Sequence, residues 1–229
     1  MTTHDGAGAM KHPHTDRKPG RPRRDDASNL RTAMLEAAID LFGERGFDGV
    51  SLSQIAGKAG ADIGLTRYYF GSKGDLWEAA MAHLAGQFAR AVEEATETAG
   101  GSKSDQLKSV VRAFVYASAR WPQMSRIIVF DGDKSDERGT FIATRLVGPF
   151  FKTLSRLIAG AKAEGTIPNV SDRTIFFMIT HGGSFPMALP VLTNALPGGN
   201  IKSAKALSAH ADAIIALIFQ PPGDSSRSL

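Results

Sequence analysis

The sequence predicts an all-α chain: an N-terminal three-helix domain built on a helix-turn-helix, joined by one long helix to a larger helical C-terminal domain. Three observations lead there. Apolar residues recur at helical spacing from Leu30 to Phe219, with almost no strict alternation of the kind a half-buried strand needs. The stretch 51–70, SLSQIAGKAGADIGLTRYYF, reads as two short helices joined by a tight turn. The stripe Leu76, Ala80, Leu84, Phe88 and Val92 predicts a helix from Lys73 to about Thr98, long enough to leave the small domain and enter the next.

Composition narrows the class. The 229 residues are enough for one domain of ordinary size and a small one, and 42% apolar residues can build a core. The absence of cysteine excludes disulfides and thiolate metal sites and fits a reducing compartment, the cytoplasm. No apolar run approaches the roughly 20 residues of a membrane span, so no membrane partner is expected. Residues 1–20 lack an apolar h-region and do not read as a secretory signal. The net charge is only +4, so the placement of charge matters more than its sum.

Residues 1–26 carry Gly, Pro, His and charge without periodicity, and read as a disordered basic arm. Arg17, Lys18, Arg21, Arg23 and Arg24 are interrupted by Pro19, Gly20 and Pro22. The Gly20-Arg21-Pro22 core resembles an AT-hook, which implies an extended arginine in a narrow minor groove; a solubilising tail is the alternative. His4, His12 and His14 have no acidic or cysteine partners nearby and read as loop residues rather than metal ligands.

The next unit, 27–87, opens with a helix over Ser28 to Arg45. Leu30, Met34, Ala37, Ala38, Leu41 and Phe42 share a face, and Gly46 ends it. Phe47 and Val50 fold the following loop onto the core. Ser51 caps the first helix of the motif (about 50–69), whose Leu52, Ile55, Ala56 and Ala59 share a face. Gly60 makes the turn, where a positive φ costs glycine little. On the second helix Leu65 and Tyr69 lie on one side, with Arg67 and Tyr68 elsewhere. Ser72 then caps the long helix, and Lys73 sits in its first turn, where free N–H groups and the dipole favour an anion.

The unit 88–220 continues with helices. Gly100-Gly101-Ser102 is a loop. Leu107, Val110, Val111, Phe114 and Val115 mark a helix ending near Trp121-Pro122, and Met124, Ile127, Ile128 and Phe130 mark a shorter one. Asp131 to Gly139 reads as a loop, and Phe141 to Glu164 as a long apolar helix with Pro149 near its middle. A helix over Thr174 to Leu192 is interrupted by Gly182-Gly183, Pro186 and Pro190, and the last helix runs from Ile201 to Phe219. Residues 221–229 are a polar tail.

Catalytic chemistry is missing. His181-Gly182-Gly183-Ser184 echoes the oxyanion loop of some esterases, but no G-x-S-x-G elbow accompanies it and the strands of such a fold are absent. No phosphate-cradling glycine loop, two-histidine metal motif or apolar carboxylate pair occurs. Neither enzyme activity, cofactor nor metal is expected.

Upstream of the motif stands MLEAAIDLFGERGF (34–47) and downstream FGSKGDLW (70–77). With Ala37-Ala38, Leu41-Phe42, Glu44, Gly46-Phe47, Ile55-Ala56, Ala59-Gly60, Gly64, Tyr69-Phe70, Ser72-Lys73 and Leu76, the chain resembles the DNA-binding domain of the TetR family of transcriptional regulators over about a quarter of its length. Thr66 stands where that family has an apolar residue, and Arg67 where it has a phosphate-contacting tyrosine. The resemblance implies a DNA-binding domain followed by a ligand-binding and dimerisation domain. The expected function is a sequence-specific transcriptional regulator, a repressor released from its operator by a small apolar or amphipathic ligand. A constitutive dimeric DNA-binding protein without ligand control is the alternative.

The expected DNA contacts are Arg67 and Tyr68 in the major groove, with Gly64 and Leu65 lining the approach. Ser51, Tyr69 and Lys73 are expected to hold phosphates, and Arg21, Arg23 and Arg24 to form the arm. Two copies of one short motif would read a pseudo-palindromic operator on double-stranded DNA, so a homodimer is expected. Its interface is placed on Phe185–Leu192 and on the apolar face Ala204, Leu207, Ala211, Ile214, Ile215 and Ile218; packing of that face inside its own subunit is the alternative. A small-molecule effector is expected among Phe114, Trp121, Phe130, Phe150, Phe177, Met178 and His181, because a proline-kinked helix leaves apolar space beside its neighbours.

Overall fold

A computed structural model describes residues 24–219, and all the regular structure among them is helical. The helices are α1 (Arg24–Arg45), α2 (Leu52–Lys58), α3 (Ile63–Phe70), α4 (Lys73–Ala99), α5 (Lys103–Arg120), α6 (Gln123–Asp131), α7 (Glu137–Phe141), α8 (Gly148–Ala163), α9 (Asp172–Ala188), α10 (Pro190–Asn194) and α11 (Ala204–Ile218). A π-helical turn, Ile142–Val147, joins α7 to α8. The arm up to residue 23 and the tail from residue 220 lie outside the described residues. The first helix begins at Arg24 rather than Ser28, so the last three residues assigned to the arm are helical.

Two apolar cores share the chain. The first gathers Met34, Ala38 and Phe42 of α1, Ile55 of α2, Phe70 of α3 and Leu76, Trp77, Ala80, Met81 and Leu84 of α4. It is completed from further along the chain by Met124 and Ile127 of α6 and by Ile142. Burial of each such side chain contributes roughly 1.5–3 kcal/mol, so α6 is held against the N-terminal helices by packing rather than by any one polar contact. The second core joins Val92 of α4 to α5, α8, α9 and α11. Because α4 supplies both, the expected boundary between residues 87 and 88 falls inside a continuous helix.

Pro149 and Pro186, which fall within helical segments of the C-terminal half, each have a physical solution. Proline offers no N–H and its ring collides with the carbonyl four residues back. Ahead of Pro149 the helix widens, and Gly148 N–H bonds to the carbonyl of Ala143, five residues back. The expected single helix over 141–164 is thus a helix with a π-turn.

In α9, Pro186 strips the Gly182 carbonyl of its helical partner, and His210 of α11 donates from Nε2 to that carbonyl at 2.9 Å. So α9 runs unbroken through Gly182, Gly183 and Pro186, contrary to the expected interruption, and ends at Leu189 before Pro190 starts α10. Gly183 belongs to the packing rather than to a break: a Cβ there would stand 3.1 Å from the Phe114 ring.

The expected dimer face of α11 is also corrected. Leu207, Ala211, Ile214, Ile215 and Ile218 are buried in the second core of their own subunit, leaving Ala204 exposed. Helices α5 and α9 cover that side of α11.

Candidate nucleic-acid interface and effector cavity

The helix-turn-helix is assembled by reciprocal caps. Ser51 donates its backbone N–H to Gln54 Oε1 at 2.8 Å and accepts from Gln54 N–H on its hydroxyl at 3.3 Å, which starts α2. Gly60 turns the chain at φ +68°. Asp62 accepts from Leu65 N–H at 2.7 Å and starts α3.

Thr66 is fully buried, yet its hydroxyl is satisfied by the Asp62 carbonyl at 3.1 Å, so a polar residue is accommodated under the helix. Leu65 and Tyr69 pack partly against the core, and Phe70 is buried with the Arg31 guanidinium 5.1 Å over its ring. The opposite side of α3 presents Gly64, Arg67 and Tyr68 to solvent, Tyr68 at 82% exposure. Exposed Ile63 stands on the same face, one helical turn before Arg67. It was not among the expected contacts, although its i, i+4 spacing from Arg67 marks it.

Lys73 points inward. Its ammonium donates to the carbonyls of Phe47 at 3.1 Å and Val50 at 3.0 Å and lies 4.1 Å from the Phe47 ring centre. Arg138 lies 4.1 Å from the same ring centre. Two of three ammonium donors are therefore engaged on the loop between α1 and α2, and a phosphate at this helix end has mainly the N–H groups of the first turn to meet. Ser51 likewise has its hydroxyl engaged in its cap. Arg24 opens α1, and Arg21 and Arg23 lie outside the described residues.

Arg138 also belongs to a charged cluster in which Asp131 is buried and Asp48 and Asp136 are exposed. Its guanidinium reaches Asp136 at 2.8 Å and stands 3.6 Å from both Asp48 and Asp131. Burial raises Asp131 above the ordinary aspartate value, and the neighbouring Arg138 charge only partly opposes that.

A cavity of about 330 Å³ opens between α4, α5, α6, the π-turn, α8 and α9. Its walls are a run of rings. Phe114 stacks parallel to Phe150 at 5.5 Å between centres, Phe88 meets Phe114 edge-on at 5.6 Å, and Phe150, Phe176 and Phe177 follow in contact. Of the expected effector residues, Phe114, Phe150, Phe177 and His181 line this space.

Three do not. Trp121 packs against Phe88 on the first core, Phe130 lies over Gly46 at the end of α1, and Met178 is 58% exposed on the outer side of α9. Residues not foreseen include Phe88, Glu93, Ser125, Arg145, Thr153 and Ser184. Phe88 and Glu93 carry the only forewarning, since they lie on the long helix that the stripe from Leu76 to Val92 predicts.

The two sites share α6. Met124 is buried in the first core and also lines the cavity, as do Ser125, Ile128 and Val129. At the start of the same helix Gln123 donates from Nε2 to Asp40 of α1 at 2.8 Å, and Asp40 holds Lys58 of α2 at 2.9 Å. Gly43 permits the approach, since a Cβ there would stand 2.8 Å from that of Gln123.

The family model of bacterial regulatory proteins, tetR family, matches residues 34–80. The chain is similar to a probable HTH-type transcriptional regulator, YttP, of Bacillus subtilis (strain 168), with 36% identity over 73 residues, 32% of this chain and 33% of that one. The match thus spans about a third of that relative's length. It is similar to the HTH-type transcriptional regulator RutR of Escherichia coli O157:H7, with 26% identity over 175 residues, 73% of this chain and 80% of that one. Among solved structures, that of AibR in complex with isovaleryl coenzyme A and operator DNA aligns with a TM-score of 0.68 at 19% identity, covering 84% of this chain and 99% of that one. No described helix is long and apolar enough to cross a membrane.

Proposed function

We propose that the chain, whose residues 34–80 match the model of the tetR family of bacterial regulatory proteins, is a DNA-binding regulator of that family and not an enzyme, a homodimeric repressor that a small amphipathic ligand releases from its operator. It would work in the cytoplasm, where the chromosome is. The observation that carries this reading is the double role of α6: Met124 belongs to the core beneath the DNA-reading motif and lines the cavity. A ligand that displaces α6 cannot leave the motif's support unchanged. AibR, of similar fold, is described with an acyl coenzyme A and operator DNA together, which supports a fold able to hold both.

The exposed face of α3 would enter the major groove, with Arg67 and Tyr68 on base edges and Ser51 and Tyr69 toward phosphates. The dimer would form on the outer side of α9 and on α10, where Met178, Phe185, Leu189 and Leu192 are exposed, together with Leu217 of α11. The long helix α4, which reaches from the motif to the cavity through Phe88 and Val92, would tilt with the ligand and change the spacing of the two recognition helices. The test is DNA anisotropy on an operator selected from random sequence, titrated with compounds that raise the melting temperature. Release of DNA is expected. Unchanged binding under saturating ligand would favour the constitutive alternative.

A further inference from the structure

We propose that the cavity takes a monoanionic amphiphile, a carboxylic acid with an apolar body, and that Arg145 on the π-turn binds its carboxylate. This rests on reading the cavity as the effector site. Arg145 is the only lining residue with a permanent positive charge, and among the described residues its guanidinium has no ion pair and no hydrogen-bond partner. Most of the wall is apolar and aromatic, so a ligand body finds rings and the charge of exposed Arg145 stands apart from them. Ser184, a buried residue, and exposed Thr153 line the same space, and their hydroxyls have no side-chain hydrogen-bond partner among the described residues. They supply neutral donors for a carboxylate or an adjoining carbonyl.

Glu93 also lines the cavity and would favour the opposite sign. Two physical arguments place Arg145 ahead of it. A guanidinium keeps its charge when water is displaced and matches a carboxylate with two parallel N–H donors. A cationic ligand would further need free ring faces. Here Phe114 and Phe150 stack face to face, and Phe88, Phe176 and Phe177 turn edges and faces on one another. The position of Arg145 has a local cause, since the widened turn before Pro149 brings Arg145, Leu146, Pro149 and Phe150 to one wall.

The test compares three probes with one eight-carbon tail: octanoate, octanol and octylammonium. Calorimetric titration of the full-length protein is expected to rank octanoate first, about tenfold tighter than octanol. Arg145→Gln should bring octanoate down to the octanol value and leave octanol unchanged. Equal binding of octanoate and octanol would overturn the anion assignment while leaving the cavity reading intact. Preference for octylammonium, abolished in Glu93→Gln, would assign the opposite sign. Failure of all three to bind, with the protein folded by its melting profile, would remove the cavity reading and this inference with it.

Discussion

Gln123 donates to the Asp40 carboxylate at 2.8 Å, and this hydrogen bond ties the start of α6 to α1 across 83 positions of sequence. The same carboxylate holds Lys58 of α2, so two elements on the DNA side, α1 and α2, meet one helix of the cavity wall. Gln123→Leu keeps the size of the side chain and removes the donor. A hydrogen bond to a charged group contributes about 1.5–3 kcal/mol, and Lys58 still compensates Asp40, so a stability loss near the lower figure is expected in chemical denaturation. The sharper expectation is a smaller effect of ligand on DNA affinity. If the ligand effect is unchanged, the signal does not pass through this bond.

Lys73 gives a second separation of roles. Lys73→Met retains the apolar stem over Phe47 but removes the donor to two carbonyls. The expected result is destabilisation by about 1–3 kcal/mol with a salt slope of DNA binding reduced by less than one. A residue that mainly neutralises a phosphate would behave in the opposite way, lowering the slope by about one with no loss of stability. Urea titration and isotherms at several salt concentrations distinguish the two.

On the outward face of α3, Arg67→Ala and Tyr68→Ala should leave stability within about 0.5 kcal/mol, as for exposed positions generally. Arg67→Ala should cost roughly 1–3 kcal/mol on the preferred DNA and less on random DNA, if the guanidinium reads a guanine edge. Isotherms on both DNAs check this. An equal loss on the two would make Arg67 a phosphate contact.

Much of this architecture is legible in local sequence. The apolar stripes of α1 and α4, the caps Ser51 and Ser72 and the turn at Gly60 depend on residues a few positions apart. What is not legible depends on distant partners. Lys73 reads as a phosphate clamp until the carbonyls of Phe47 and Val50 are seen beneath its ammonium. The glycines and Pro186 of α9 read as breaks because nothing local announces that His210 takes the orphaned Gly182 carbonyl. The inward face of α11 has the pattern of an interface, and only the placement of α5 and α9 shows that it is already covered. Within the cavity, large aromatic residues were anticipated by type, but Arg145 and Ser184 were not, since a polar residue in a helix gives no sign of the space it faces.

The dimer proposal now rests on the exposed apolar residues of α9 and α10. Met178 is 58% exposed and does not line the cavity, so it separates assembly from ligand binding. Sedimentation at micromolar concentration should show a dimer for the natural chain. Met178→Asp should shift it toward monomer by placing a charge in the apolar contact, with the melting profile of the monomer retained. A natural chain that is monomeric, and binds its operator as a monomer, would contradict the proposal.

Linkage provides the most direct test of the claim that the cavity and the DNA-reading motif act as one system. The affinity of a cavity ligand is measured by calorimetry on free protein and on protein saturated with operator, and operator affinity is measured with and without that ligand. The two ratios must be equal, and a coupling of about 1–3 kcal/mol corresponds to roughly 5- to 150-fold. The account predicts that operator DNA weakens ligand binding by the same factor, within that range, by which ligand weakens DNA binding. Equal ligand affinity in the two states would contradict it.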